Sequence, residues 1–397
     1  MPLSGRRLWL AGIGGAGMSG YAILAKAWGA DVSGWDRRET PYLAGVRGDG
    51  IPVDISENPP DPPSDAEVFV SSAFSGRVAG ASRSELLAEL VGLADSIVVA
   101  GAHGKTTTTA MIAYVLDRLG RDPAFLVGGE IPQLGGNARA GTGWLVVEGD
   151  ESDRSVFSLP ATVAVVTNVE LDHHTTFGSD AELEEAFDEW ASGLETVIWG
   201  RDLEPVDFPL AVPGEHNRLN AACALAALEA VDVVRAEAQP LLAEFLGARR
   251  RFQLASETAG VRIYDDYGHH PAEIAATLET ARGLADGGRV LALFQPHLYS
   301  RTRHLADELA RALTRADIAC VTEIYPARED PIPGVTGKLV VDRVAELRPG
   351  MRIGWAPELG DAAALVAEQA RPGDILLTIG AGDVDSALGV LEERIGR

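Results

Sequence analysis

The stretch "VVAGAHGKTTTTAMIAYVL", residues Val98 to Leu116, decides how the chain is interpreted. An apolar run ends at Ala100, the turn "GAHGKT" follows, and apolar residues then recur at helical spacing. A strand, a glycine loop and a helix in this order suit phosphate binding, because backbone N–H groups turn inward and the helix N-terminus adds positive potential. Only three of the 34 basic residues are lysines, and one of them, Lys105, lies in this loop.

The loop is a shortened variant of the nucleotide-binding P-loop. Val99 stands where the strict pattern has its first glycine, so Gly101 takes that place. The ammonium of Lys105 is a compact point charge for the outer phosphates, and the hydroxyl of Thr106 can ligate Mg²⁺. The predicted ATP-binding residues of the loop are Gly101, His103, Gly104, Lys105, Thr106 and Thr107.

Acidic and imidazole side chains end two further strand-like runs, "VVEGDESD" (146–153) and "VVTNVELDHH" (165–174). Carboxyl ends of parallel strands meet at one edge of a sheet, beside the phosphate loop. Carboxylates are hard ligands that suit Mg²⁺. The two runs together therefore predict a magnesium site next to Lys105.

An earlier glycine loop, "WLAGIGGAGMSG", places Gly12, Gly14 and Gly17 in the spacing of a dinucleotide-binding fingerprint. Asp36 follows 19 residues after Gly17, as the ribose-binding acid of that fingerprint would. Taken alone, the loop suggests an NAD-dependent oxidoreductase. It specifies only a diphosphate on a helix N-terminus, however, and with an ATP-type loop downstream a UDP-sugar is an equally suitable ligand.

Length and composition restrict the number of domains and the classes of binding partner. The length of 397 residues predicts two to three domains, and the net charge of -24 argues against binding to nucleic acid or to an anionic membrane surface. No run is long and apolar enough to span a bilayer, and two distant cysteines form no disulfide framework. We predict a cytoplasmic protein.

Short apolar runs alternate with helical stretches, which predicts an α/β protein with mainly parallel sheets. A second strand, glycine loop and helix begins near Ser96, and a new strand-rich region begins near Gly247. The predicted strands are Leu8–Ala11, Val68–Ser71, Ser96–Ala100, Trp144–Val147, Ala164–Thr167, Val290–Phe294, Ile318–Thr322 and Ile375–Ile379. The predicted helices are Met18–Trp28, Thr106–Leu119, Leu219–Ala230 and Pro271–Ala285.

Ten motifs occur in the order in which the Mur ligases carry them: "GIGGAGMSG", "GAHGKTTTT", "EGDESDRS", "TNVELDHH", "GEHNRLNAACALAA", "RRRFQ", "DDYGHHPAEI", "FQPHLYSRTR", "YPAREDPIPG" and "GAGDV". The chain resembles that family almost end to end, and most closely the members that join L-alanine to UDP-N-acetylmuramate. The resemblance implies a Rossmann-like UDP-sugar domain over 1–95, a central P-loop ATPase domain over 96–246 and a Rossmann-like C-terminal domain over 247–397. It also implies an ATP-dependent amide ligase of peptidoglycan precursor synthesis. A monomer and a homodimer are both left open.

The resemblance further implies roles for individual residues. Lys105 would hold phosphates, and the metal ligands would be Thr106, Glu151 and His173. Further ATP contacts would be His216, Asn217, Asn220, Arg251, Asp266 and Tyr267. His269, His297 and Arg301 would serve the amino acid and the carboxylate; with Lys105, Glu151 and His173, His269 and Arg301 form the predicted catalytic set. The UDP-sugar contacts would be Gly12, Ile13, Gly14, Gly15, Gly17, Met18, Asp36, Ser71 and Ser72.

Two residues depart from the family pattern. Ala102 stands where the phosphate loop usually has threonine, and Leu298 stands where arginine usually follows "QPH". Several loops are also short, around 54–65 and 199–213. Besides the L-alanine ligase, the sequence therefore leaves open a related ligase for another acid or a preformed peptide, an oxidoreductase and a non-catalytic nucleotide-binding protein.

Overall fold

The computed structural model describes residues 1–171, 176–327 and 329–397. They form two compact units, one made of Met1–Ala211 with Asn217–Arg249 and the other of Val212–His216 with Arg250–Arg397. Within the described ranges, no helix is long and apolar enough to cross a lipid bilayer.

The strands are, in chain order, β1 Arg7–Ala11, β2 Asp31–Asp36, β3 Val53–Ile55, β4 Glu67–Val70, β5 Ala81–Ser82, β6 Ser96–Ala100, β7 Ala124–Ile131, β8 Gly136–Arg139, β9 Leu145–Glu148, β10 Val163–Val166, β11 Thr196–Trp199, β12 Gln253–Thr258, β13 Val261–Asp266, β14 Val290–Phe294, β15 Ile318–Val321, β16 Arg352–Trp355 and β17 Ile375–Ile379. The α-helices are α1 Ala16–Ala27, α2 Leu43–Gly48, α3 Arg83–Gly92, α4 Lys105–Arg118, α5 Asp180–Ser192, α6 Glu215–Ala230, α7 Arg235–Ala243, α8 Pro271–Leu284, α9 Tyr299–His304, α10 Ala306–Leu313, α11 Gly337–Leu347, α12 Leu359–Ala367 and α13 Leu388–Ile395.

The first unit contains two sheets. One is parallel throughout, in the order β3-β2-β1-β4-β5. The other has the order β11-β10-β6-β9-β7-β8, in which only the β7–β8 pair is antiparallel. In each sheet a glycine loop leaves the carboxyl end of a strand that has neighbours on both sides, β1 in one and β6 in the other. Such positions are where open α/β sheets bind ligands.

Helix α1 joins the two sheets of the first unit. It packs on β7 and β8 as well as on β2, and side chains of both sheets share one hydrophobic cluster. The contact is close at Gly20, where an added Cβ would lie 2.9 Å from Leu126 Cδ2 and 3.0 Å from Ala138 Cβ. Glycine at this position lets the helix backbone approach the second sheet.

The second unit has one sheet, in the order β12-β13-β17-β14-β15-β16. Its strands are parallel except for β12 against β13. Separate apolar clusters cover its two faces, and the central strand β17 is completely buried. Continuous apolar strands of this kind are typical of parallel sheets with helices on both sides.

The predicted α/β class with mainly parallel sheets is confirmed. All eight predicted strands and all four predicted helices are present, with ends displaced by a few residues at most; the predicted strand Trp144–Val147, for example, runs over Leu145–Glu148. Each of the predicted ranges 1–95, 96–246 and 247–397 contains one sheet. Those domain limits remain predictions, since the first two sheets belong to one compact unit.

Candidate functional site

The first glycine loop is fixed by the acid that follows β2. Asp36 accepts hydrogen bonds from the backbone N–H of Gly14 at 2.9 Å and of Arg37 at 2.7 Å. The carbonyl of Gly14 accepts from Thr40 Oγ1 at 2.7 Å. The predicted ribose-binding Asp36 therefore also holds the glycine loop in its conformation.

The other predicted sugar-nucleotide residues surround this loop. Gly12 has a positive φ, and a Cβ there would lie 2.3 Å from Ser71 Oγ, so the loop passes directly over Ser71. Ser72 is exposed. The side chains of Ile13 and Met18 belong to the hydrophobic core, which leaves only their backbone for a ligand. Gly15 precedes α1 and Gly17 lies in its first turn.

The second glycine loop holds Lys105 at the start of α4. Its ammonium donates to the carbonyl of Gly101 at 2.6 Å, to that of Ala102 at 3.1 Å and to the carboxylate of Glu151 at 3.0 Å. Burial lowers the pKa of Lys105, but Glu151, Glu148 and Asp150 raise it further, so the net pKa lies above its ordinary value. The lysine is therefore charged at neutral pH.

Glu151 is the buried partner of this lysine, with 3% of its side chain exposed. Burial raises its pKa, against the opposing effect of Lys105. The ammonium of Lys105 lies 3.0 Å from this carboxylate and favours its charged form.

Thr106 directs its hydroxyl to the strand beside β6. Thr106 Oγ1 donates to Glu148 Oε1 at 2.9 Å, and Glu148 Oε2 accepts from the N–H of Gly128 at 2.6 Å. A hydroxyl and two carboxylates, those of Glu148 and Glu151, thus lie around the first turn of α4. They are the hard oxygen ligands that Mg²⁺ prefers, so this donor set fits the ion.

Polar groups that follow β10 support the loop. The amide side chain of Asn168 accepts from the N–H of His103 at 2.9 Å and donates to its carbonyl at 2.8 Å. Thr167 Oγ1 donates to the same carbonyl at 2.7 Å, and His103 Nε2 lies 3.0 Å from Glu170 Oε2. The backbone of the loop is thereby held by the neighbouring strand.

Helix α6 provides a second support. A Cβ at Gly104 would lie 2.2 Å from Asn220 Oδ1, and Asn220 donates to Asn217 Oδ1 at 3.2 Å. Both asparagines are buried, and Thr107 is buried in the first turn of α4. His216 belongs to the second unit, where burial lowers its pKa against the effect of Glu273.

In the second unit, Asp266 ends β13 with both carboxylate oxygens occupied by the protein. They accept from the N–H groups of Phe252 and Gly268 at 2.8 and 2.9 Å and from Thr277 Oγ1 at 3.0 Å. The side chain of Tyr267 lies beneath the guanidinium of Arg251, whose Cζ is 5.2 Å from the ring centroid. Asp266 therefore orders the turn that presents Tyr267 and Arg251.

Three further predicted residues lie together in the second unit. The rings of His269 and His297 have centroids 5.7 Å apart, and Arg301 Nη1 is 3.2 Å from His297 Nδ1. His269 follows β13, while His297 and Arg301 follow β14. Leu298 between them has φ of 68°, a region in which a leucine is strained. Two strand ends thus bring two imidazoles and a guanidinium into one cluster.

The predicted metal ligand His173 lies outside the described residues, so the predicted ligand set consists here of Thr106 and Glu151. Glu148 belongs to the acidic run 146–153 for which the sequence predicts a magnesium site, although it was not assigned there as an individual ligand. Its position at the end of β9, next to β6, is the signal that could have identified it.

Two family models match the chain, "Mur ligase middle domain" over residues 99–204 and "Mur ligase, glutamate ligase domain" over residues 250–382. The UDP-N-acetylmuramate–L-alanine ligase of Kineococcus radiotolerans is 41% identical and aligns over 98% of this chain and 97% of its own length. The enzyme of the same name from Streptomyces coelicolor is 38% identical over 97% and 96%. The chain belongs to the Mur ligase family.

Solved structures agree with this assignment. The UDP-N-acetylmuramate–alanine ligase of Thermotoga maritima superimposes with a TM-score of 0.80 at 26% identity, covering 98% of both chains. A murein peptide ligase from Psychrobacter arcticus shares the fold with a TM-score of 0.64 at 23% identity over 99% of both chains. The predicted family is confirmed, which favours the ligase over the oxidoreductase suggested by the first glycine loop alone.

Proposed function

We propose that this protein is the ATP-dependent ligase that joins L-alanine to the lactyl carboxylate of UDP-N-acetylmuramate in peptidoglycan precursor synthesis. The observation that carries the proposal is the arrangement of Lys105, Thr106, Glu148 and Glu151 around one glycine loop, in the same compact unit as a second glycine loop for the sugar nucleotide. The names of its near-full-length relatives support the same reaction. We propose that the protein acts in the cytoplasm.

The chemistry explains why ATP is needed. A carboxylate is a poor acylating agent, and phosphorylation converts one of its oxygens into a leaving group. The amine of L-alanine attacks the acyl phosphate, and phosphate leaves the tetrahedral intermediate as the amide forms. Charge on the transferring phosphoryl group must be neutralised, which is the main requirement of phosphoryl transfer.

In the first unit Lys105 supplies that neutralisation at the outer phosphates, because its ammonium is charged and fixed at the first turn of α4. Thr106, Glu148 and Glu151 would hold Mg²⁺, with His173 as the further predicted ligand. When bound, the ion would neutralise phosphate charge. Gly101, His103, Gly104 and Asn220 would order the loop around the phosphates.

In the second unit Arg251 and Tyr267 would contact the nucleotide, and Asp266 would position them. His269, His297 and Arg301 would bind the amino acid and the carboxylate: a guanidinium suits a carboxylate, and a neutral imidazole can accept a proton from the attacking amine. The proposal extends to a monomer or homodimer as the active form.

The experiment is to measure ADP and phosphate release with ATP, Mg²⁺ and UDP-N-acetylmuramate, with and without L-alanine, glycine or L-serine. Release that requires both the sugar nucleotide and L-alanine, together with a new amide product by mass spectrometry, is the expected result. Tight ATP binding without release in the presence of both substrates would contradict it. Ala102 and Leu298 would then point to a related ligase with another acid or a preformed peptide as substrate.

A further inference from the structure

A cavity of about 280 Å³ lies within the first unit, between α1 of the first sheet and the strand ends of the second. Lys105, Glu148 and Asp150 line it on one side, and Tyr21 and Arg83 on the other. Two cationic side chains, those of Lys105 and Arg83, therefore line the cavity. Arg83 is not among the site residues predicted from the sequence.

The backbone of Arg83 is firmly placed. It is the first residue of α3, and the preceding Ser82 closes a capping box with Glu85: Ser82 Oγ accepts from the N–H of Glu85, and the Glu85 carboxylate accepts from the N–H of Ser82. Such a box fixes the start of a helix. The side chain of Arg83 is thus directed into the cavity from a rigid position.

The guanidinium of Arg83 binds two carboxylates of the acidic loop that follows β9, residues 149–153. Arg83 Nη2 donates to Asp153 Oδ2 at 2.6 Å and to Asp150 Oδ2 at 3.1 Å. Its Nε is buried and has no hydrogen-bond partner among the described residues. A buried donor without an acceptor is costly, and functional sites are one place where it is retained.

Arg83 also lies beside the first glycine loop. A Cβ at Gly17 would be 3.5 Å from Arg83 Nη1 and 3.4 Å from Tyr21 Oη. The absence of a side chain at Gly17 thus brings a guanidinium and a phenol next to the first turn of α1, where backbone N–H groups favour anions. Burial raises the pKa of Tyr21 to about 12, so its hydroxyl stays protonated and can donate.

We propose that Arg83 is a specificity residue that binds an anionic group of the acid substrate, either the diphosphate or the lactyl carboxylate of the sugar nucleotide, in exchange for Asp150 and Asp153. The exchange replaces two protein carboxylates by ligand oxygens, and the planar fork of an arginine suits either group. This assignment rests on the proposed function. It also links occupancy of the sugar site to the acidic loop that carries Glu151.

The test compares Arg83→Met with Asp153→Asn, which break the same ion pair from opposite sides. Calorimetric titration with UDP-N-acetylmuramate should show Arg83→Met binding about 10- to 100-fold more weakly, the range expected when a charge-assisted hydrogen bond is lost. Asp153→Asn should bind as tightly as the wild type or more tightly, because Arg83 is then released from a competitor. ATP affinity, measured on the same samples, should stay within about threefold in both variants.

A merely structural ion pair predicts a different pattern, in which both variants lose affinity to a similar extent; that result would overturn the assignment. If Arg83→Met does not fold, the change in sugar-nucleotide affinity of Asp153→Asn still distinguishes ligand binding by Arg83 from a structural ion pair: weaker binding indicates the ion pair. UDP-N-acetylglucosamine, which lacks the lactyl group, identifies the anion: equal losses for both sugar nucleotides indicate the diphosphate, and a loss confined to UDP-N-acetylmuramate indicates the carboxylate. A wild-type protein that binds neither sugar nucleotide would contradict the proposed function itself.

Discussion

At the scale of single residues, Lys105 shows how a phosphate ligand is kept in position. Its three acceptors, two loop carbonyls and the Glu151 carboxylate, lie within 3.1 Å of the ammonium. A phosphate must therefore compete with these acceptors for the lysine. The lysine therefore stabilises the transition state more than bound ATP, because negative charge on the transferring phosphoryl group is largest in the transition state.

Replacement of this lysine should separate catalysis from sugar-nucleotide binding. We expect Lys105→Met to lower kcat by about 10²-fold or more, because the charge that neutralises the phosphoryl group is lost. UDP-N-acetylmuramate affinity should stay close to that of the wild type, since the first glycine loop is built on another strand. Steady-state ADP release and calorimetric titration measure the two effects.

Lys338→Met is the matched control. Lys338 is half exposed, and its partner among the described residues is Asp342, one turn further along α11. Its loss should therefore leave turnover unchanged. Loss of sugar-nucleotide binding in a folded Lys105→Met protein would show that ATP and UDP-N-acetylmuramate do not bind at separate glycine loops.

The residues found from the sequence are those whose chemistry is written in a local pattern. Lys105 and Thr106 adjoin glycines between a strand and a helix, and Asp36 follows its loop at a fixed spacing. Arg83 carries no such pattern, because the groups that give it a role, Asp150 and Asp153, come more than 60 residues later. The hydrogen bond between Thr106 and Glu148 could not be predicted for the same reason, because it depends on the pairing of β6 with β9.

At the scale of elements, the position of α1 depends on one small residue. Gly20→Leu should lower the free energy of unfolding by about 1–3 kcal/mol, because the new side chain must enter a contact already filled by Leu126 and Ala138. Thermal or urea unfolding measures the change. Sugar-nucleotide affinity should fall as well, since the same helix carries the glycine loop at its N-terminus.

Gly48→Leu provides the matched control for this prediction. Gly48 ends α2 and is exposed, and beyond its chain neighbours and its own helix backbone a Cβ there would meet no atom of the described residues within 4 Å. Its substitution should leave stability nearly unchanged. Equal effects of the two substitutions would contradict the claim that close packing, rather than the loss of a glycine, is responsible.

Elements were predicted well wherever an apolar run ended in a glycine or polar turn, as at β6 and β14. Nine strands were not predicted, among them β2, β7, β11, β12, β13 and β16. The others, β3, β5 and β8, lie at sheet edges and have two to four residues each and no buried side chain. Such strands are stabilised by pairing with a neighbour that lies elsewhere in the sequence, so local pattern says little about them.

At the scale of the whole molecule, stability should depend on pH through Asp374, which joins the amino ends of β14 and β17. Its carboxylate accepts from Arg289 Nη2 at 2.5 Å, from the N–H of Arg289 at 3.1 Å and from the N–H of Arg371 at 2.8 Å. Burial works to raise the pKa of Asp374, but the hydrogen bonds from Arg289 and Arg371 outweigh it, and the pKa lies below its ordinary value.

A carboxylate with a lowered pKa stabilises the folded state above the unfolded pKa, near 4, and this stabilisation is lost as the pH falls through the folded value. Asp374→Asn should therefore lower the free energy of unfolding by about 2 kcal/mol at pH 7. The difference between wild type and variant should narrow below about pH 4. A gap that stays constant from pH 7 to pH 3 in urea unfolding would show that the charge of Asp374 is not responsible.

The limits of the second unit have a consequence for dissecting the protein genetically. That unit takes in Val212–His216, which precedes most of the first unit's helix α6, and there a Cβ at Gly214 would lie 2.6 Å from Thr280 Oγ1 on α8. A gene fragment that begins at Arg250 would omit this pentapeptide and leave the adjoining part of α8 uncovered. Circular permutation, or a linker that restores the pentapeptide, is therefore a sounder route to an independently expressed second unit than truncation at the family-model boundary.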